Sequence, residues 1–165
     1  NKRFQGREEA MAAAVKVRYA CAEDVAVLVD FNYQMALETE NRELSKDTLT
    51  KGIQRLFDNP EKGQYYVAVD ESDSPIACLM TTYEWSDWRN TDMVWIQSVY
   101  VKQEFRRQGV FRLLYQFVEQ ACLERGNAGL RLYVEHDNEV AQKTYQAMGM
   151  EQSHYLMFER EFKRN

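Results

Sequence analysis

The spacing of apolar residues changes along the chain, and each change of period predicts a strand or a helix. Residues 95–101 are mostly apolar and rich in β-branched and aromatic side chains, which is typical of a half-buried strand. The next apolar residues recur at helical spacing, and they are Val110, Leu113, Leu114, Phe117, Val118 and Ala121. Gly126 follows as a helix stop signal. Residues 95–126 therefore predict a strand, a tight turn and a helix.

The same two periods predict the rest of the element order. Strands are expected at residues 15–19, 64–70, 75–85, 93–101, 130–134 and 151–162. Helices are expected at residues 23–37, 46–58, 110–125 and 138–148. Residues 71–74 carry turn chemistry and make the second and third strands a hairpin. The order β-α-α-β-β-β-α-β-α-β predicts an α/β fold with helices around a mixed sheet.

Size and composition place the chain among single-domain globular proteins. It has 165 residues, of which 45% are hydrophobic, enough for a substantial core. Residues 1–6 end in Phe-Gln-Gly and resemble the remnant of a protease-cleavage tag, so the expected domain is residues 7–165. No run of 18 apolar residues and no secretory segment is present, and we expect a cytoplasmic protein without a membrane partner.

Charge and metal-binding residue types narrow the function classes. The net charge of −5 argues against nucleic acid as a partner. Three distant cysteines suggest neither a disulfide framework nor a zinc site, and two histidines are too few for a metal cluster. We therefore expect no metal cofactor.

The turn at residues 106–112, with the sequence R-R-Q-G-V-F-R, is a candidate anion site. A helix start leaves N–H groups unpaired, and the positive end of the helix dipole adds to their attraction for phosphate. Gly109 lets a ligand approach the backbone, and Arg106, Arg107 and Arg112 add positive charge. The turn alone fits a solvated basic rim equally well. No Lys-Ser or Lys-Thr follows the glycine, which excludes a P-loop, and the dinucleotide fingerprint is also missing.

A second motif begins about 30 residues after Gly109, with Asn138, Ala141, Tyr145 and Gly149 in the pattern N-x-x-A-x-x-x-Y-x-x-x-G. Together with R-x-x-G-x-φ at residues 106–111, it resembles the GNAT superfamily of N-acetyltransferases over residues 17–162. The resemblance implies a sheet whose fourth and fifth strands splay apart. It also implies acetyl-CoA, or a related acyl-CoA, bound in the gap between them.

The resemblance also assigns residues to the cofactor. The turn backbone is expected to hold the pyrophosphate, and an exposed strand edge at residues 99–101 is expected to pair with the pantetheine arm. Phe111 stands where many family members have Gly or Ala, so its ring should point away from the phosphates. Asn138 is expected to bond the pantetheine or to cap its own helix. The predicted cofactor residues are Val99, Tyr100, Val101, Arg106, Arg107, Gln108, Gly109, Val110, Phe111, Arg112 and Asn138.

For catalysis the resemblance implies direct attack of an amine on the thioester, with Tyr145 protonating the departing sulfur. No cysteine is placed to carry an acyl group. A glutamate of related polyamine enzymes is replaced by Gln97, and an amide cannot accept the amine proton. Either a water relays this proton to Glu84, Asp87 or Glu135, or the acceptor is a less basic amine, such as an α-amine with a pKa of about 8.

The acceptor side is expected near residues 83–88, Y-E-W-S-D-W, which resemble a stretch of polyamine and thialysine acetyltransferases. Aromatic rings and carboxylates together suit an ammonium group, although an exposed hairpin tip would have the same composition. The predicted acceptor residues are Glu38, Glu40, Glu84, Trp85 and Asp87. The predicted acceptor is a small cationic amine. Acetylation of protein amines, a non-catalytic acyl-CoA sensor or interaction module, and a homodimer all stay open.

Overall fold

The computed structural model describes residue 6 and residues 14–163 of the chain. It divides the chain into two compact units, residues 1–132 and residues 133–165, which are described separately below. The predicted tag remnant lies outside the described residues, apart from Gly6.

The first unit is built on a five-stranded mixed sheet, which confirms the predicted mixed sheet with the first five of its six predicted strands. Its strands lie side by side in chain order, the first four antiparallel and the last parallel to its neighbour. They are β1 (Lys16–Tyr19), β2 (Gln64–Val69), β3 (Pro75–Ser86), β4 (Thr91–Val101) and β5 (Gly129–Arg131).

Three helices of the first unit agree with the prediction to within a few residues. They are α1 (Val25–Glu40), which follows a short 3-10 turn, α2 (Lys46–Asp58) and α3 (Val110–Glu124). Ser45 caps α2 by accepting a hydrogen bond from the Thr48 N–H at 3.2 Å. Gly126 adopts a left-handed φ of +72° just after α3, as its stop signal predicts.

Helices cover both faces of this sheet. Tyr65 of β2 belongs to the core cluster with Leu28 of α1 and Leu56 of α2. The next residue, Tyr66, points to the opposite face, where its ring lies 5.9 Å from that of Phe117 on α3. The sheet is thus packed from two sides, which holds the backbone of its central strands in place.

The second unit contains one helix, α4 (Glu139–Ala147), and departs from the prediction at its end. The strand predicted at residues 151–162 is wrong, because residues 151–163 are described without any strand. Tyr155, Leu156, Met157 and Phe158 in this segment are exposed. Alternation of apolar residues gives a segment two faces, but a strand forms only where a neighbouring backbone pairs with its N–H and C=O groups. None of the helices that the structure describes is long and apolar enough to cross a membrane.

Candidate active site

All three residues of β5 pair with β4, and β4 continues past the point where β5 ends. Their parallel pairing joins Met93 to Gly129, Val94 to Leu130 and Trp95 to Arg131. Beyond Trp95, β4 continues along β3 as far as Val101, and no described residue of β5 pairs with it there. This confirms the predicted splay. It leaves backbone N–H and C=O groups on one edge of β4 for a ligand that binds as an extended strand.

The splay begins at a β-bulge in β4. Ile96 pairs with Thr81 and Ser98 pairs with Met80, so Gln97 is the extra residue between them. A bulge bends its strand and redirects the neighbouring backbone groups, and such bulges are frequent beside active sites. The Gln97 Nε2 donates a hydrogen bond to Thr82 Oγ1 at 2.6 Å. The position where related enzymes have a glutamate therefore holds a neutral, engaged amide.

The turn before α3 has the geometry of an anion site. Arg107 and Gly109 both adopt left-handed backbone conformations, with φ of +61° and +79°. The first helical hydrogen bond runs from the Leu113 N–H to the Gly109 carbonyl at 3.1 Å. The N–H groups of Gly109, Val110 and Arg112 find no acceptor within the part of the chain that is described. A Cβ added at Gly109 would meet nothing within 4 Å, so the space beside the turn is open.

The three arginines of the turn differ in the contacts that their side chains make. Arg107 and Arg112 are exposed and form no ion pair with any described residue. Arg106 instead binds the protein itself: its Nη2 lies 2.6 Å from Glu38 Oε2, and its Nε donates to the Val101 carbonyl at 2.8 Å. Two residues that the sequence assigned to different ligands thus bind each other.

The side chains of Phe111 and Gln108, in the same turn, also lie against the protein. The Phe111 ring lies 6.2 Å from the ring of Tyr115, one turn further along α3, and Tyr115 is buried. The Gln108 Nε2 donates to the Glu104 carbonyl at 3.0 Å, whereas its Oε1 is buried without a partner among the residues described.

On the acceptor side, the structure brings together Glu84, Trp95 and Arg131 where β4 and β5 part. The Trp95 Nε1 donates to Glu84 Oε1 at 3.0 Å, and Arg131 forms an ion pair with Glu84 Oε2. Arg131 balances the charge of a carboxylate predicted to bind an ammonium group. The sequence analysis missed Arg131, because its only signal was a basic residue inside a short strand pattern.

The other predicted acceptor residues lie elsewhere. Trp85 is 62% exposed near the end of β3, and Asp87 lies in the hairpin that follows, where its Oδ1 accepts from the Trp88 N–H at 2.9 Å. Glu40 is exposed as the last residue of α1. Only Glu84 lies at the point of divergence between β4 and β5.

A partly buried polar pair lies on the face of the sheet that α1 covers. Asn32 Nδ2 donates to the Leu28 carbonyl at 2.8 Å and to the Tyr65 hydroxyl at 3.0 Å. Because a carbonyl can only accept, the nitrogen of this amide must face both partners. Burial raises the pKa of the Tyr65 phenol to about 12, so it stays protonated at neutral pH.

In the second unit, α4 carries the two remaining predicted residues. Asn138 is the N-cap of α4, and its Oδ1 accepts a hydrogen bond from the Ala141 N–H at 3.1 Å. Tyr145 is half-buried, and burial raises the pKa of its phenol above the ordinary value. The phenol is therefore a proton donor at neutral pH. Within the described ranges, no group of three or more metal-ligating side chains exists.

An open strand edge beside a turn with unpaired N–H groups fits a ligand with a phosphate head and an extended amide-bearing arm, the features of an acyl-CoA. Residues 28–150 match the sequence profile of the Acetyltransferase (GNAT) family. The chain belongs to this family, and its class is that of the acyltransferases.

Individual relatives agree with this assignment. The chain is 41% identical to a possible acetyltransferase from Clostridium difficile 630, with a TM-score of 0.85, covering 92% of this chain and 99% of that one. An aminoglycoside N-acetyltransferase, AAC(6')-Iy, solved in complex with CoA, has a TM-score of 0.73 at 15% identity over 89% of this chain and 94% of its own, and shows the fold alone. A thialysine N-epsilon-acetyltransferase from Bos taurus is 31% identical over 67 residues, which span 41% of this chain and 39% of that protein.

Proposed function

We propose that this protein transfers an acetyl group from acetyl-CoA to a primary amine of a small molecule. The observation that carries the proposal is the edge of β4 left without a β5 partner beyond Trp95, ending beside the open turn at Gly109. One ligand can use both features, because its phosphates need a cluster of N–H donors and its amide-bearing arm needs a strand edge.

In this proposal the pyrophosphate binds the backbone of residues 107–112. The unpaired N–H groups of Gly109 and Val110 donate to it, and Arg107 and Arg112 supply positive charge that no described carboxylate neutralises. The pantetheine arm then follows Val101, Tyr100 and Val99 toward the bulge. Asn138 keeps its role as helix cap, which its hydrogen bond to Ala141 supports.

The reaction is a direct acyl transfer. The amine nitrogen attacks the thioester carbonyl, the new C–N bond forms, the C–S bond breaks, and the amine gives up one proton. A backbone N–H at the bulge is suited to stabilise the developing oxyanion. We assign the protonation of the departing sulfur to Tyr145, on the basis of its motif spacing from Asn138 and of a phenol that is protonated at neutral pH.

The acceptor that fits best carries a single positive charge. Glu38 and Glu84 are each paired with an arginine of the protein, so neither offers a free carboxylate to a polycation. Because Gln97 cannot accept a proton from the amine, an amine that is already partly neutral in solution should react faster than one that is almost fully protonated. The α-amine at the start of a peptide, with a pKa of about 8, is roughly one-tenth neutral at pH 7, whereas a lysine-type amine is neutral in only about one molecule in 10³ to 10⁴. The partial match to a thialysine acetyltransferase supports an amino-acid-like acceptor.

A second candidate is a non-catalytic acyl-CoA sensor, which the neutral and engaged side chain of Gln97 favours. Both candidates need the cofactor site, and only the enzyme needs Tyr145 as an acid. A homodimer and a cytoplasmic location stay predictions under either candidate.

The deciding experiment measures release of the CoA thiol from acetyl-CoA over a panel of acceptors, which includes α-amino acids, thialysine, spermidine, an aminoglycoside and a peptide. We expect saturable release with the singly charged amines and weaker release with spermidine. Binding of acetyl-CoA in calorimetry without release for any acceptor would favour the sensor. Absence of both binding and release would refute the proposed function.

A further inference from the structure

Glu38 and Arg106 link the helix on the acceptor side to the turn on the cofactor side. Glu38 lies in the last turn of α1, and Arg106 stands directly before the left-handed residue Arg107. Their side chains meet at 2.6 Å, and each is 39% exposed. The sequence had assigned Glu38 to the acceptor amine and Arg106 to the phosphates.

Arg106 is held by more than this ion pair. Its Nε donates to the carbonyl of Val101, the last residue of β4, at 2.8 Å. Its guanidinium lies over the ring of Tyr100, 5.5 Å from the centroid, and that ring packs on Phe31 of α1 with centroids 5.1 Å apart. The guanidinium therefore bridges the end of α1 and the end of β4 at the base of the anion turn.

Because Arg106 is engaged in this bridge, Arg107 and Arg112 are the arginines of the turn that remain for the phosphates of the cofactor. Arg107 and Arg112 form no ion pair with any residue that the structure describes, whereas the Nε and Nη2 groups of Arg106 already donate to Val101 and Glu38. An exposed ion pair adds little to global stability on its own. Holding a binding loop in its bound conformation, in contrast, strengthens binding because less ordering is needed when the ligand arrives.

We propose that Glu38 is a positioning residue for the cofactor turn, which it holds through Arg106, and that it does not bind the acceptor amine. This inference rests on the proposed function, since it assigns the turn to acetyl-CoA. It makes the end of α1 part of the cofactor site, although the sequence places it on the acceptor side.

The test compares Glu38→Gln with Glu43→Gln, a matched control because both carboxylates are exposed, Glu43 follows the end of α1, and no described residue pairs with Glu43. Acetyl-CoA binding is measured by calorimetry, and KM is measured for acetyl-CoA and for the amine separately. We expect Glu38→Gln to raise the Kd and the KM of acetyl-CoA roughly 3- to 10-fold, the range of a modest charged contact. Its amine KM and kcat, and all constants of Glu43→Gln, should stay within about twofold.

Adding Glu38→Gln to Arg106→Gln tests whether Glu38 acts through Arg106. The second substitution should then have no further effect on acetyl-CoA binding, because non-additivity marks residues that act as one unit. A raised amine KM with unchanged acetyl-CoA binding would overturn the inference and return Glu38 to the acceptor. Tighter acetyl-CoA binding in Glu38→Gln would also overturn it, by showing that Glu38 withholds Arg106 from the phosphates. The Kd readout needs no turnover, so failure of the enzyme reaction would remain distinguishable from failure of this inference.

Discussion

The Gln97 amide donates a hydrogen bond from Nε2 to Thr82 Oγ1 over 2.6 Å, and it does so from the bulge of β4. The bulge lies two residues beyond Trp95, the last residue of β4 that pairs with β5. Under the proposed function, Gln97 stands where a base would act on an incoming amine. Because an amide has no useful basicity, the proton of the amine must then leave by another route or be lost before binding. We therefore expect Gln97 to limit which amines react at neutral pH.

Replacing Gln97 by glutamate should supply the missing base. We expect Gln97→Glu to raise kcat/KM for strongly basic amines at pH 7 by about 100-fold, the lower end of the range for general-base catalysis. Thr82 can keep the contact, because its hydroxyl can donate to a carboxylate. The measurement is the pH profile of kcat/KM, with Gln97→Ala as the control that removes the amide without adding a base. An unchanged rate in Gln97→Glu would show that proton removal does not limit the reaction.

The cofactor turn should be sensitive to negative charge at Gly109. Acetyl-CoA at about 100 times its Kd should stabilise the native state by about 2.7 kcal/mol, a rise in Tm of about 5–11 °C for a chain of this size. Gly109→Glu should abolish this rise, because it places a carboxylate where the phosphates bind. Thermal unfolding with and without acetyl-CoA measures the effect.

Gly126→Glu is the matched control for Gly109→Glu. Both glycines have a left-handed φ, +72° and +79°, and a Cβ at either meets nothing within 4 Å. Both substitutions therefore carry the same kind of backbone strain at the two ends of α3. A carboxylate at the C-terminal end also opposes the helix dipole, so the control should be at least as destabilised. If Gly126→Glu lost the acetyl-CoA response as well, the loss in Gly109→Glu would be due to backbone strain and not to negative charge at the turn.

Tyr145→Phe should lower kcat about 100-fold while leaving the Kd of acetyl-CoA unchanged, because only the proton donor is removed. Burial raises the pKa of the Tyr145 phenol above the ordinary value of about 10, so the donor is fully present at neutral pH. Activity should fall only as the pH rises through that raised pKa. The rate at high pH measures this: the alkaline decrease of kcat should be present in the wild type and absent in Tyr145→Phe. An unchanged kcat would transfer the acid role to solvent.

Asp24 should lower the free energy of unfolding as the pH falls into the acid range. Burial by itself would raise the pKa of the Asp24 carboxyl, but hydrogen bonds from Arg18 and from the Cys21 N–H, each at 2.8 Å, outweigh burial and lower it. A lowered pKa contributes stability above the unfolded value of about 3.9, and this is lost as the pH falls through the folded pKa.

Asp24→Asn should therefore cost about 1–3 kcal/mol in free energy of unfolding at pH 7, and much less near pH 2. Urea unfolding at the two pH values checks the difference, with Asp73→Asn as a comparison. Asp73 contacts the same arginine at 2.9 Å, but its side chain is 71% exposed, so its loss should be small at both pH values. An equal cost of Asp24→Asn at both pH values would mean that its charge contributes nothing.

The local structure of this protein, such as a helix and the residues that end it, could be predicted from the sequence alone. The stripe from Val110 to Ala121 fixes α3, and Gly109 and Gly126 bound it because both positions need a left-handed backbone. The motif around Gly109 and Tyr145 also identified the family. These signals are readable because each depends on residues close together in the chain.

Only the tertiary structure decided which distant groups meet. The bulge at Gln97 depends on the register against β3, and the Glu38–Arg106 and Glu84–Arg131 pairs each join segments far apart in sequence. The two pairs changed the expected site, because each engages a carboxylate, Glu38 or Glu84, that the sequence analysis had assigned to the acceptor. The strand predicted at residues 151–162 was wrong for the same reason. A periodic pattern determines which side of a segment is apolar, whereas its hydrogen-bond and charge partners are supplied by the rest of the fold.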